Sequence, residues 1–66
     1  MDPEQVLNKA AFERKLELTF ADNGAAKAFR ARCHKLRKKK DILEWANLRL
    51  RVRGFQLIID DLTPIL

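Results

Sequence analysis

The sequence predicts a small two-layer α+β domain with a short N-terminal helix, a strand, a long basic helix and then a β-hairpin. Its 66 residues allow a single domain, residues 1–66. Apolar residues recur at helical spacing in two segments and alternate with polar residues in three others. A sheet with helices on one face is the simplest arrangement in which all five segments bury their apolar sides.

Residues 2–12 predict a short docking helix. Asp2 can accept hydrogen bonds from the free amides of the first turn, and Pro3 suits the first helical position. The apolar residues at helical spacing are Val6, Leu7, Ala10 and Ala11. Because so short a helix is unstable alone, we expect it to dock on the rest of the domain or on a second copy.

Residues 15–60 are predicted to form the α+β core, which begins with a strand at residues 15–20. Its alternating apolar side chains are Leu16, Leu18 and Phe20. Asp22 or Asn23 then caps a long helix that runs from Gly24 to about Lys40. One side of this helix carries the apolar stripe Ala25, Ala26, Phe29, Cys33 and Leu36.

Residues 41–47 are ambiguous. They form either a further helical turn or a connector that carries Ile42, Leu43 and Trp45 into the core. Two strands follow. Residues 48–53 alternate, with Leu48, Leu50 and Val52 opposite the three arginines. Arg53-Gly54 is a plausible tight turn into residues 55–60, which we expect to form an edge strand. Residues 61–66 form an apolar tail, which together with the first helix predicts a homodimer.

Charge is distributed unevenly along the chain. Residues 27–53 hold eleven of the fourteen basic side chains and two acidic ones, a net charge of +9, whereas the rest of the chain has a net charge of −4. The pI near 9.9 is in the range of nucleic-acid-binding domains. The sequence therefore predicts that this segment binds a polyanion, although a solvated, solubilising surface is the alternative.

Two sets of residues are the candidate nucleic-acid-binding site. The long helix contributes one group on the face away from the apolar stripe and two residues that flank its other side: Lys27, Arg30, His34, Arg37 and Lys38 in the first group, and Arg32 and Lys35 in the second. The strand contributes Arg49, Arg51 and Arg53, spaced about 6.5–7 Å apart, close to the distance between successive phosphates along a strand. For these arginines, pairing with Glu17 or Asp60 is an equally good interpretation. If the helix covers one sheet face, the arginines lie on the other.

The aromatic residues are all predicted to pack in the core, which favours contacts with the phosphate backbone over base stacking. They are Phe12, Phe20, Phe29, Trp45 and Phe55. Cys33 and His34 are adjacent and point in different directions on a helix, so we expect a core thiol and a surface imidazole rather than a catalytic pair or a metal site.

Other function classes are excluded by composition. Ser and Tyr are absent, a Gly-rich phosphate loop is missing, and one Cys with one His cannot build a metal centre. We therefore expect no enzyme, no cofactor and no metal. No apolar run approaches the length of a membrane span, no secretory leader is evident, and membrane contact is not expected. The basic run 35–40 would suit nuclear import in a eukaryote; otherwise a cytoplasmic, nucleic-acid-associated location is expected.

The sequence predicts a small basic non-enzymatic protein that binds DNA or RNA. The chain is compact and lacks catalytic groups, and in this respect it resembles, in type only, small regulatory or accessory proteins of phages and plasmids. That class would include viral accessory proteins. The alternative is a protein-interaction module, an inhibitor or adaptor that docks on an acidic partner protein and offers the edge strand 55–60 to it.

Overall fold

Two helices and a three-stranded antiparallel sheet form the fold, which is taken from a computed structural model that describes residues 1–62. In chain order the elements are α1 (Pro3–Glu13), β1 (Lys15–Thr19), α2 (Asn23–Lys40), a 3₁₀ turn (Leu43–Trp45), β2 (Leu48–Arg53) and β3 (Gln56–Asp61). The predicted α+β class and element order are confirmed. The last four residues of the predicted apolar tail, 63–66, lie outside the described residues.

Both helices begin and end at the local signals that the sequence provides. The Asp2 carboxylate accepts from the Glu4 amide at 3.0 Å, and the Asp22 carboxylate accepts from the Ala25 amide at 2.7 Å. Each helix ends at a residue in the left-handed conformation, Arg14 with φ 67° and Asp41 with φ 50°. The backbone N–H groups of these two residues close the last turns of α1 and α2.

The strand order is β1-β3-β2, so β3 is the central strand and is antiparallel to both neighbours. The prediction that residues 55–60 form an edge strand is therefore wrong. β3 carries the most apolar run of the sheet, with Leu57 and Ile59 fully buried, and the central position covers it on both sides. β1 and β2 are parallel to each other and form the two edges.

The hairpin turn lies one residue later than the sequence suggested. Arg53 still belongs to β2 and pairs with Gln56, so the loop is Gly54-Phe55. Gly54 has φ +63°, a conformation that side-chain-bearing residues rarely adopt, which explains why glycine occupies the first loop position.

Both helices pack on the same face of the sheet. α1 buries Val6, Leu7 and Ala10, and α2 buries Ala26, Phe29 and Cys33, while Ala25 and Leu36 of the predicted stripe are half-buried. The sheet contributes the following buried residues: Leu48, Leu50, Leu57 and Ile59. The first helix thus docks on its own domain, and the apolar stripe predicted for the basic helix is confirmed.

Three apolar residues predicted to lie in the core are exposed. Phe12 is 89% exposed because it lies on the polar side of α1, about 140° around the helix from Leu7. Phe55 is 55% exposed because it occupies the hairpin loop. Leu43, which belongs in the core only under the connector alternative for residues 41–47, is 84% exposed, since the 3₁₀ turn directs Trp45 inward instead.

Trp45 connects the 3₁₀ turn to α1. Its side chain is 1% exposed, and the indole Nε1–H donates to the Asn8 side-chain oxygen at 2.9 Å. This hydrogen bond satisfies the only polar atom of a buried indole.

Replacing Asn8→Ala leaves the buried Trp45 N–H without its acceptor, so we expect the free energy of unfolding to fall by about 1–3 kcal/mol. Urea unfolding followed by the fluorescence of this single tryptophan measures the change. Gln5→Ala, on the exposed side of the same helix, is the matched control and should change stability by less than about 0.5 kcal/mol. Equal stability of both variants would contradict the role given to this hydrogen bond.

Candidate functional site

α2 lies along the free edge of β2 and is held there by three polar contacts. The Asn23 side-chain amide donates to the Gly54 carbonyl at the hairpin end. Further along α2, Arg30 Nε donates to the Leu50 carbonyl at 3.2 Å, and Arg37 Nη2 makes a long contact of 3.5 Å with the Ala46 carbonyl. The sequence positions of these contacts show that α2 runs antiparallel to β2 along its whole length.

The Leu50 carbonyl is available because it points away from the sheet. The Leu62 N–H donates to the Asn47 carbonyl at 2.9 Å, which fixes Asn47 as a residue whose backbone groups face β3. Backbone groups alternate along an antiparallel strand, so those of Leu48, Leu50 and Val52 face the open edge. Arg30 therefore covers part of an edge that would otherwise expose unpaired carbonyls.

A row of four cations and one imidazole follows α2 on the side nearest β2 and on its solvent-facing crest. We call it the helix row: Lys27, Arg30, His34, Arg37 and Lys38. Helical geometry places these five residues within about 100° of one another around the axis. Four are exposed and Arg37 is half-buried. Since only one donor of Arg30 is used by Leu50, its remaining guanidinium N–H groups are available to a ligand.

A second row of cations projects from β2 on the opposite face of the sheet. We call it the strand row: Arg49, Arg51 and Arg53, all exposed. The two rows lie on opposite faces, as expected, but both flank the same edge, that of β2. One strand edge separates the two rows.

Asp60 neutralises part of the positive charge of the strand row. Its Oδ2 lies 2.9 Å from Arg51 Nη2 and 3.5 Å from Arg49 Nη2, and all three side chains are on the same outer face. The expected alternative for the strand arginines, pairing with Asp60, therefore holds for Arg49 and Arg51. One carboxylate shared between two guanidiniums leaves a net positive charge, and Arg53 makes no ion pair within residues 1–62.

The helix row has no such neutralisation. Among the residues that the structure describes, eight of the eleven cations in 27–53 make no salt bridge within 4.0 Å, the exceptions being Arg49 and Arg51 with Asp60 and Lys40 with Glu4. The eight are Lys27, Arg30, Arg32, Lys35, Arg37, Lys38, Lys39 and Arg53. A surface that served only for solubility would mix both signs.

Two of the predicted site residues are separated from the rest. Arg32 and Lys35 lie on the other flank of α2, where they line a hollow of about 630 Å³ with the N-terminal turn of α1, and Lys38 on the crest lines this hollow as well as one with His34 and Arg37. The Arg32 guanidinium lies 5.8 Å from the centre of the Phe29 ring, so part of its face is used inside the protein. The other eight predicted residues form the helix row and the strand row.

Sequence reasoning missed two polar side chains of the outer face. Strand register aligns Thr19 and Gln56 in one row with Arg53, so hydroxyl and amide groups lie beside a guanidinium that makes no ion pair within residues 1–62. The alternation in β1 predicted that Thr19 points outward, but only the β1–β3 register shows what it lies beside.

The two titratable residues of α2 other than Lys and Arg have different environments. Burial raises the pKa of the Cys33 thiol to about 11, against a smaller lowering effect of Arg32 and Arg37, so the thiol is protonated at neutral pH and serves as a packing group. Partial burial lowers the pKa of His34, and the positive charges of Arg30 and Arg37 lower it further. The arrangement offers fixed cations to an anion rather than a nucleophile with a base.

Comparisons with protein-family models, with curated proteins and with solved structures find no match for this chain. No helix within residues 1–62 combines the length and the apolar character needed to cross a bilayer.

Because the fold lowers the pKa of His34 below its ordinary 6.5, the unfolded chain takes up a proton at a higher pH than the folded chain does. The stabilising effect is complete above pH 6.5 and is lost as the pH falls through the folded-state pKa. We expect the urea midpoint of Trp45 fluorescence to fall slightly between pH 7.5 and 5.5, and to fall less in His34→Gln. A larger fall in the variant would contradict this assignment.

Proposed function

We propose that this chain is a small, basic, non-enzymatic nucleic-acid-binding protein that contacts the phosphate backbone through the helix row and the strand row. The observation that carries the proposal is the set of eight cations in 27–53 that make no salt bridge within the described residues. Five of them lie around the β2 edge: Lys27, Arg30, Arg37, Lys38 and Arg53.

Electrostatic repulsion within the helix row supports a polyanionic ligand. Side chains three or four positions apart on a helix lie about 5–6 Å apart at Cβ. At about 6 Å, two like charges repel by roughly 0.7 kcal/mol in water, and by more beside a low-dielectric protein. Asp41 and Glu44, the only acids in 27–53, make no salt bridge with these cations within residues 1–62. Phosphates would turn this repulsion into attraction and release the counterions that nucleic acid carries.

Backbone contacts fit the surface better than base stacking does. Arg can hold a phosphate through two parallel hydrogen bonds, and Lys acts as a mobile point charge. The aromatic residues nearest the helix row, Phe29 and Trp45, are buried. We therefore infer affinity for nucleic acid with little dependence on base sequence. Such binding suits a regulatory or accessory protein that is associated with nucleic acid in the cytoplasm.

The predicted homodimer remains a prediction, and the structure supplies a place where two copies could meet. Phe12 and Leu43 line a hollow of about 400 Å³ at the end of the fold where α1 ends, and Asn47, which accepts the Leu62 N–H, lines it too. Phe12, Leu43 and Leu62 are exposed. The hollow lies beside the 3₁₀ turn, at the end of the two rows.

An acidic partner protein is the second candidate ligand. The same unpaired cations would steer such an encounter, and the exposed Phe12 and Leu43 would supply apolar anchors at a separate site. Addition of residues 55–60 to a partner's sheet is not proposed again, because β3 is paired on both sides.

If about six phosphates are neutralised on duplex DNA, the logarithm of the binding constant should fall with the logarithm of salt at a slope near −5. Replacing Lys27→Gln and Lys38→Gln together should make the slope shallower by about 2 and weaken binding, because two exposed cations of the helix row are removed. Fluorescence anisotropy with labelled duplex DNA, single-stranded DNA and duplex RNA at 50–200 mM salt measures both quantities.

The matched control replaces Lys9→Gln and Lys15→Gln, two exposed lysines outside the rows that pair with Glu13 and Glu17. This variant carries the same net charge as Lys27→Gln/Lys38→Gln and should keep the wild-type salt slope to within about 0.5. Equal effects of both variants would show attraction by net charge alone and would remove the helix row from the proposal. Absence of binding to all three probes at 50 mM salt would overturn the proposed function.

A pull-down from lysate treated with nuclease separates the two candidate ligands. If nucleic acid is the ligand, nuclease should release all co-purifying proteins, because they are held through the nucleic acid. Retention of one stoichiometric acidic protein, lost with Lys27→Gln/Lys38→Gln and kept with Lys9→Gln/Lys15→Gln, would instead favour the interaction module.

A further inference from the structure

We infer that the ligand is a double-stranded nucleic acid, held with the β2 edge facing a groove and with one cation row on each of the two phosphate strands that bound it. This inference rests on the proposed function and specifies its ligand class. It comes from the placement of the two rows, which only the folded chain shows.

The first step is that the two rows run side by side along one edge. The contacts of Asn23 with Gly54, Arg30 with Leu50 and Arg37 with Ala46 keep α2 antiparallel to β2. The helix row therefore follows the strand row from the hairpin end to the 3₁₀ turn. Two lines of cations result, one on each side of the strand edge.

The second step is the separation of the rows. One row belongs to the helical layer and the other to the outer face of the sheet, so their charged ends are separated by at least one layer spacing, roughly 10 Å. The grooves of B-form DNA are about 6 Å and 12 Å wide, and each is bounded by a phosphate strand on both sides. The wider groove therefore suits two cation rows on either side of one strand edge, and the narrower groove does not.

The third step is the mismatch with a single strand. One strand presents one line of phosphates, which can follow the helix row or the strand row but not both. Single-strand binders supplement their charges with exposed aromatic platforms on which successive bases stack. Phe55, 55% exposed in the hairpin loop, is the one exposed aromatic residue adjoining the rows within residues 1–62, and one ring at the end of the rows cannot stack a series of bases.

The experiment compares the affinities and salt slopes of three 20-unit probes: duplex DNA, one of its single strands, and duplex RNA. The proteins are the wild type, a helix-row variant (Lys27→Gln/Lys38→Gln), a strand-row variant (Arg51→Gln/Arg53→Gln) and the control (Lys9→Gln/Lys15→Gln). All substituted residues are exposed, and Trp45 fluorescence with thermal melts confirms that each variant is folded.

We expect at least one duplex to bind ten-fold or more tightly than the single strand at 100 mM salt. On that duplex, the helix-row variant should make the salt slope shallower by about 2, the strand-row variant by about 1–2 because Arg51 already shares Asp60, and the control by less than about 0.5. Preference for duplex DNA or for duplex RNA identifies the source of the two phosphate strands, and either one supports the inference.

Two results would overturn the inference: single-stranded DNA that binds as tightly as both duplexes, or a duplex slope that changes in only one of the two row variants. In both cases the proposed function would stand and the two-strand geometry would not. Failure of all probes to bind removes the proposed function itself, which makes the two failures distinguishable.

Discussion

The packing of α2 on the sheet is the interaction on which the rest of the structure depends. A helix with eight basic side chains has only a narrow apolar stripe, and Ala26, Phe29 and Cys33 bury that stripe against β2 and β3. Because the stripe is narrow, cations border it on both sides. Arg30 and Arg37 then reach backbone carbonyls beside the strand, so charged side chains help to set the position of the helix that carries them.

Most of the fold could be predicted because its signals are local. The Asp2 and Asp22 caps, the apolar stripes of the helices and the alternation in the strands each occupy a few neighbouring residues. The position of β3 between β1 and β2 depends on pairing between residues 37 to 45 positions apart, from Thr19 with Gln56 to Lys15 with Asp60, which periodicity within one segment does not encode. Phe12 and Phe55 were assigned to the core by residue type alone, while their positions on a helix face and in a loop determine exposure.

The residues of the candidate site were identifiable by charge, but their arrangement was not. The sequence predicted which cations lie on which side of the helix and that the strand arginines share one face. It also offered Asp60 as a partner for those arginines, and the structure gives Asp60 to two of them. What required three dimensions was the antiparallel alignment of α2 with the β2 edge, because this depends on tertiary contacts between residues 9 to 31 positions apart.

The open edge of β2 has a consequence for the behaviour of the protein at high concentration. A strand with unpaired backbone groups is a template for the same strand in another molecule, and such pairing leads to aggregation. Two copies that met at this edge would bring six arginines together on one side and two cationic helices together on the other. We expect mutual repulsion of the copies to oppose such pairing, so the charges that we propose bind a polyanion also disfavour polymerisation of the free protein through its own sheet.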